Sequence, residues 1–224
     1  MTATVIACGA LASELRAVLA GQGLDDVAVR YLPANLHNRP DQIVPAVSDV
    51  IAALDADQHV FVAYADCGSG GALDAFLADH PRIGRLPGAH CYEFFAGSAR
   101  FAALHDTEPG TFYLTDFLAK HFDALVWQGL GLDRHPSLLP VYFANYRRVV
   151  LLSQTDDPAI VSAAETAAER LGLEFEHEPT GLDPFADAVA VGLTVNTRSV
   201  ASDEAPAEER LQAACVAGER RRGA

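Results

Sequence analysis

The chain opens on an apolar run, Thr4-Val5-Ile6-Ala7-Cys8, and continues into a stretch where Leu11, Leu15, Val18 and Leu19 recur on one side of a helical wheel. A short apolar run without alternation reads as a strand buried on both faces, and the 3.6-residue period reads as an amphipathic helix over residues 10–20. Gly21 and Gly23 end that helix. Residues 27–32 form a second strand pattern, 33–40 a polar loop, and 42–54 a helix whose Ile43, Val47, Val50, Ile51 and Leu54 share a face. A third apolar run follows at residues 59–64.

The rhythm then repeats. A helix is expected at residues 72–79, a Pro/Gly-rich stretch leads to Cys91, and helical patterning runs over 92–105. Glu108-Pro109-Gly110 is a turn, because proline lacks a donor and glycine tolerates positive φ. Strands at 111–114, 148–153 and 174–177 alternate with helices at 117–122 and 159–171. This β-α-β order with short connections predicts an α/β, Rossmann-like fold: a largely parallel sheet with helices on both faces, centred on the strands at 4–8, 27–32, 59–64 and 148–153. Residues 1–198 are expected to form one α/β domain, divisible into two similar halves at about 1–110 and 111–198. Residues 199–224, rich in Ala, Glu and Arg with a short amphipathic stretch at 207–215, read as a poorly ordered tail.

At 224 residues and 50% hydrophobic, the chain can bury a substantial core. Its formal net charge of -14 opposes a nucleic acid partner, since phosphate backbones reward clustered Lys and Arg, and the one basic run, Arg220-Arg221-Arg222, lies in the tail. The first residues lack the basic start and apolar run of a signal peptide, and no apolar stretch approaches the roughly 20 residues a membrane helix needs. The expectation is therefore a cytoplasmic protein with no membrane partner. In a reducing compartment its four cysteines point to ligands, catalytic thiols or buried small residues before disulfides.

Three of those cysteines fall where strands end. Cys8 closes the first run, Cys67 follows the third, and Cys91 lies in Gly88-Ala89-His90-Cys91-Tyr92-Glu93. No short C-x-x-C spacing is present, so the case rests on topology: ligands in α/β sheets bind outside the carboxyl ends of the strands, and such ends lie roughly 5 to 10 Å apart. The plain alternative is three small buried hydrophobes, which is what free cysteine usually is.

Around these thiols, the Gly68-Ser69-Gly70-Gly71 loop offers backbone amides at a helix start, where an anion or a thiolate would be favoured. The same turn can serve tight packing, and no G-x-G-x-x-G or Walker pattern supports a nucleotide. Asp66 is a candidate for proton transfer or for capping the next helix. His90 is a candidate ligand or substrate contact, and Glu93 a carboxylate able to orient it or to move protons. Arg134, His135, Asn145 and Arg147, in an aromatic and basic stretch of residues 127–148, are candidates to bind a small anion, against the alternative of ordinary surface pairing.

With these residues in view, the chain resembles the domain-of-unknown-function 1638 family of bacteria and archaea. The resemblance rests on Ile6-Ala7-Cys8-Gly9-Ala10-Leu11, Tyr64-Ala65-Asp66-Cys67-Gly68, the run from Gly88 through His90-Cys91-Tyr92-Glu93 to Gly97, the run from Glu108 through Thr111-Phe112-Tyr113 to Thr115, Arg134-His135-Pro136 and Asn145-Tyr146-Arg147. It extends to about Gly181. It implies cysteines matching Cys8, Cys67 and Cys91, with Cys215 set aside as a tail residue. Members are often encoded near corrinoid-dependent methylamine or betaine methyltransferase systems, which implies methyl-group or corrinoid-linked one-carbon metabolism.

The leading expectation is a metalloprotein in which Cys8, Cys67 and Cys91 hold one centre with an open position, their sulfurs within roughly 4 Å of one another. Zinc is the first choice and an iron-sulfur cluster the alternative, since thiolates suit both. Two further readings stand beside it. One is a metal-free thiol enzyme with Cys67 as nucleophile and His90 as base. The other is a non-enzymatic accessory that delivers a metal or cofactor to, or docks on, a methyltransferase, with a corrinoid protein or methyltransferase as partner.

Overall fold

A computed structural model describes residues 3–55 and 58–203. Among the described residues the strands form two parallel sheets. The first has the order β2-β1-β3-β4, built from β1 (Ala3–Cys8), β2 (Ala28–Leu32), β3 (His59–Ala63) and β4 (Gly84–Arg85). The second has the order β5-β6-β7, from β5 (Thr111–Thr115), β6 (Arg148–Ser153) and β7 (Glu174–Pro179). The α/β class and its parallel pairing match the sequence expectation. The strand at 148–153 is a correction: it centres the second sheet, because periodicity identifies a strand but not its hydrogen-bond partners.

In the first sheet, strand alternation separates two cores. Val5, Ala7, Phe61 and Ala63 face helix α1 (Ala12–Gly21), through its Leu15, Val18 and Leu19. Ile6, Val60, Val62 and Tyr64 face α2 (Ile43–Ala52) and α3 (Ala72–Ala78), through Ile43, Val47, Leu73 and Leu77. The helices lie on opposite faces because the chain leaves β1 toward β2 and then returns past β1 to β3, and right-handed crossovers in opposite directions occupy opposite faces. The point of reversal, between β1 and β3, is the switch point where such sheets open a crevice.

The expected helix over 92–105 is two helices, α4 (Cys91–Ala96) and α5 (Ser98–Thr107), broken at Gly97 with φ 78°. Together they bridge the sheets. Phe94 and Phe95 join the core of the first sheet, while Tyr92, Phe101 and Leu104 cover Tyr113, Val150 and Leu152 of the second. The other face of the second sheet packs on α6 (Asp116–Lys120), a π-helical turn at Asp123–Trp127, α7 (Leu139–Phe143) and α8 (Pro158–Leu171). Both β5-to-β6 and β6-to-β7 crossovers step the same way across that sheet, so their helices share one face.

The last helix, α9 (Asp183–Asp203), returns from the second sheet to the first, where Phe185 stacks 5.1 Å from Phe94 and Val189 joins the same core. A Cβ on Gly192 would sit 2.2 Å from the Phe61 ring, so α9 crosses the sheet at a distance that glycine alone permits. Residues 199–203 of the expected tail thus belong to α9; residues 204–224, including the stretch at 207–215 and Cys215, lie outside the described residues. No helix among the described residues is long and apolar enough to cross a membrane.

Candidate metal centre

Cys8 is the last residue of β1, and Cys67 lies in the loop leaving β3, on the two sides of the switch point. Cys91 opens α4. Its position is fixed by two backbone bonds between the β3 loop and the segment before α4: Asp66 N donates to Gly88 O at 3.1 Å and Cys67 N to Ala89 O at 2.8 Å. Arg85 of β4 holds the same segment, donating to the carbonyls of Leu86 at 2.7 Å and Gly88 at 3.2 Å while its guanidinium pairs with Asp74. Glu93 completes the brace, accepting from Ala89 N at 3.0 Å and from Ser98 Oγ at 2.9 Å.

All three thiols line one cavity of about 40 Å³. Its walls are Leu11, Ile43, Phe94 and Phe95 from the first sheet and its helices, and Phe117, Leu118 and Leu125 from the second half of the chain. By the measure under which one water needs about 10–15 Å³, the space holds roughly three water-sized bodies. The thiols are free and half-buried, facing this space while otherwise ringed by protein.

Burial dominates their acidity. It pushes Cys8 up, against smaller opposing contributions from the Ala10 amide and Tyr64. Cys67 rises to about 11, first by burial and then by the neighbouring Cys8. Cys91 is pushed well up, by burial and then by the charges of Cys67 and Cys8. Like charges lining one cavity disfavour one another's ionisation in this way. Among the described residues, however, no three His, Cys, Asp or Glu side chains are gathered closely enough to hold a metal ion as they stand.

Two features were not foreseen. Cys67 has φ 49°, the one left-handed non-glycine among the described residues, so its side chain is held where the backbone would prefer glycine. Tyr64, 2% exposed, lines the cavity, and its hydroxyl has no hydrogen-bond partner of proper geometry. Cys8 lies close enough for a weak O–H···S contact, and burial followed by Cys8 and Cys67 drives the phenol pKa upward. The available signal was a tyrosine directly after the apolar strand His59–Ala63, two residues before Asp66.

The remaining candidates have other places. Asp66 caps its own loop, accepting from Ser69 Oγ at 2.6 Å, Gly71 N at 2.8 Å and Gly70 N at 3.1 Å. The Ser69 bond chiefly holds its carboxyl below the usual range. The Gly68-Gly71 loop therefore is not an open anion cradle: the amides of Gly70 and Gly71 are taken by the protein's own carboxylate. Helix α3 starts five residues beyond Cys67 and does not offset the burial of its thiol.

His90 is exposed and lines a different pocket, with Tyr92, Tyr113, Asn145 and Tyr146, so it does not stand beside Cys67 as a base. Arg134, His135, Asn145 and Arg147 are exposed, and none lines the cysteine cavity. Arg134 is 72% exposed and pairs at 3.8 Å with Asp133. The expected cationic wall is absent because these residues sit on outer turns before α7 and β6, while the inner wall of that half is Phe117, Leu118 and Leu125.

No curated protein matches the chain. Among solved structures, the ornithine carbamoyltransferase from Pyrococcus furiosus is similar at 15% identity and a TM-score of 0.26, over 79% of this chain and 54% of that one, so the chain spans about half its length. A family model described as "Protein of unknown function (DUF1638)" matches residues 31–189, a span that holds Cys67 and Cys91 and begins after Cys8. On that match, which covers well over half of the sequence, the chain belongs to the DUF1638 family.

Proposed function

We propose that the protein is a metal-binding protein whose centre is held by the thiolates of Cys8, Cys67 and Cys91, with zinc as the metal and one coordination position left open. One observation carries this reading. Three thiols far apart in sequence line a single small cavity at the switch point of a parallel sheet, and among the described residues no cationic side chain lines that cavity to offset their charge. Deprotonating buried, mutually repelling thiols needs a cation, and a soft or borderline metal is the cation that thiolates select. The side chains would turn inward on binding, since they are not gathered as a ligand set beforehand.

Three protein ligands with an open position is the pattern of catalytic zinc, which supplies Lewis acidity to whatever occupies that position. The chain's own contribution is to hold the thiols on a braced backbone, to exclude bulk water with Phe94, Phe95, Phe117 and Leu125, and to present the Tyr64 hydroxyl. We place the activity in cytoplasmic methyl-group or corrinoid-linked one-carbon metabolism, on the resemblance set out above, with a corrinoid protein or methyltransferase as partner. An iron-sulfur cluster would use the same three thiolates. A metal-free nucleophile is disfavoured, because Cys67 is pushed to about 11 and His90 faces another pocket. Metal analysis of anaerobically purified wild type and Cys67→Ser tests the proposal.

A further inference from the structure

His90 and Tyr92 flank Cys91 in sequence but line a cleft separate from the cysteine cavity. The cleft has a volume of about 700 Å³, inside the range of roughly 300 to 1,000 Å³ that small-molecule sites occupy. It lies where β5 forms the edge of the second sheet, and it draws rings from both faces of that strand. From one face comes a run in which His90 lies 6.1 Å from Tyr92, Tyr92 5.5 Å from Tyr113 and Tyr113 5.1 Å from Phe101, which stacks at 6.4 Å on His105. From the other come Phe112 and Tyr146, edge to face at 5.7 Å, and Tyr142 of α7 lines the same space.

Among the described residues no Asp, Glu, Lys or Arg side chain lines this cleft, in a chain of net charge -14. Its polar groups are the imidazoles of His90 and His105, the Asn145 amide and the tyrosine hydroxyls. Among the described residues, the side chains of His90, His105, Tyr142, Asn145 and Tyr146 make no hydrogen bond within the protein. The amides of Gly70 and Gly71 differ in this respect, since Asp66 consumes them.

Ring faces with uncommitted donors and acceptors around one space match a flat ligand with polar edges. Stacking on an aromatic side chain tolerates any ring, and a side-chain amide pairs an edge that carries a donor beside an acceptor. A small ammonium ion would use the ring faces alone, fill a fraction of the volume and leave the amide unmatched. A carboxylate or phosphate would meet no Lys or Arg.

We infer that this cleft is a second ligand site, for an uncharged bicyclic heteroaromatic ring, with Tyr142 and Tyr146 supplying the stacking surface and Asn145 pairing the polar edge. It is independent of the proposed metal centre, because the two sites share no lining residue.

The test follows the imidazole C–H proton signals of the full-chain protein by NMR during titration with adenine and with quinazolin-4-one, both uncharged at pH 7.5, and with choline. The His90 and His105 signals, assigned from single Gln variants, are expected to shift saturably with at least one heterocycle through its ring current, while His80, which lines another pocket, stays in place. Tyr142 is 44% exposed and Asn145 is exposed, so substitution at either leaves the core intact. Tyr142→Ala should weaken the heterocycle about tenfold and Tyr142→Phe, which keeps the ring, less than about threefold. Asn145→Leu should weaken it about fivefold. No saturable shift of His90 and His105 with either heterocycle, choline binding there as tightly, or wild-type affinity in both Tyr142→Ala and Asn145→Leu would each overturn the inference.

Discussion

The backbone amide of Cys67 donates a 2.8 Å hydrogen bond to the carbonyl of Ala89, two residues before Cys91. With the neighbouring Asp66 N to Gly88 O bond, it ties the loop leaving β3 to the segment before α4, so two thiols separated by a strand and a helix are held by adjacent backbone contacts. Making it accompanies a left-handed Cys67, at φ 49°. The strain is local, and it sits at the residue the proposed centre needs.

Cys67→Gly therefore tests whether the side chain is retained against the preference of the backbone. Left-handed φ costs a non-glycine residue about 1–2 kcal/mol, whereas glycine elsewhere is about 0.5–1 kcal/mol worse than alanine. The expected outcome is that metal-free Cys67→Gly is more stable than Cys67→Ala by about 0.5–1 kcal/mol in urea unfolding. The usual order, with alanine more stable, would show that the loop relaxes and stores no strain.

Asp66→Asn should loosen the same loop. The carboxylate satisfies Ser69 Oγ and the amides of Gly70 and Gly71, and losing a cap of this kind costs about 0.5–2 kcal/mol. Because its folded pKa is lowered, Asp66 adds stability above its ordinary unfolded value of 3.8, and that share disappears as pH falls through the lower folded value. The wild-type minus variant stability difference should therefore shrink in acid. A difference that stays constant from pH 7 to pH 2 would rule out this carboxylate as its source.

The thiols give the opposite limb. Cys67 is raised from 9.0 to about 11, so the unfolded chain loses its proton first as pH climbs. The folded metal-free protein should accordingly lose stability between about pH 9 and pH 11, and less so in Cys67→Ala. At pH 7.5 the native metal-free thiols should react with iodoacetamide much more slowly than after denaturation. Native alkylation as fast as denatured alkylation would mean that burial does not control these thiols.

Much of this arrangement was legible in the sequence, for identifiable reasons. The strands ending at Cys8 and before Cys67 are uninterrupted apolar runs, and α1 and α2 carry clear helical periods, so the carboxyl edge of the first sheet could be read with its cysteines on it. What periodicity does not encode is pairing. The strand Arg148–Ser153 reads like β3 but joins β5 and β7 instead, and the wall formed by Phe117, Leu118 and Leu125 follows only from that second sheet facing the first. Local competition was also hidden: Gly-rich amides that look open in sequence are consumed by Asp66, four and five residues upstream. Arg134 and Arg147, basic neighbours of aromatics, lie on turns that carry them outward.

The central claim is that Cys8, Cys67 and Cys91 hold one metal. It is tested most directly by elemental and acid-labile sulfide analysis of anaerobically purified wild type, Cys67→Ser and Cys215→Ser proteins, each checked for native folding by circular dichroism. The account predicts about one zinc per wild-type chain, near-complete loss in folded Cys67→Ser, and full retention in Cys215→Ser; iron with sulfide showing the same dependence would assign a cluster to the same thiolates. Equal metal content in wild type and Cys67→Ser, or a wild-type protein that neither carries nor takes up zinc or iron, would contradict it.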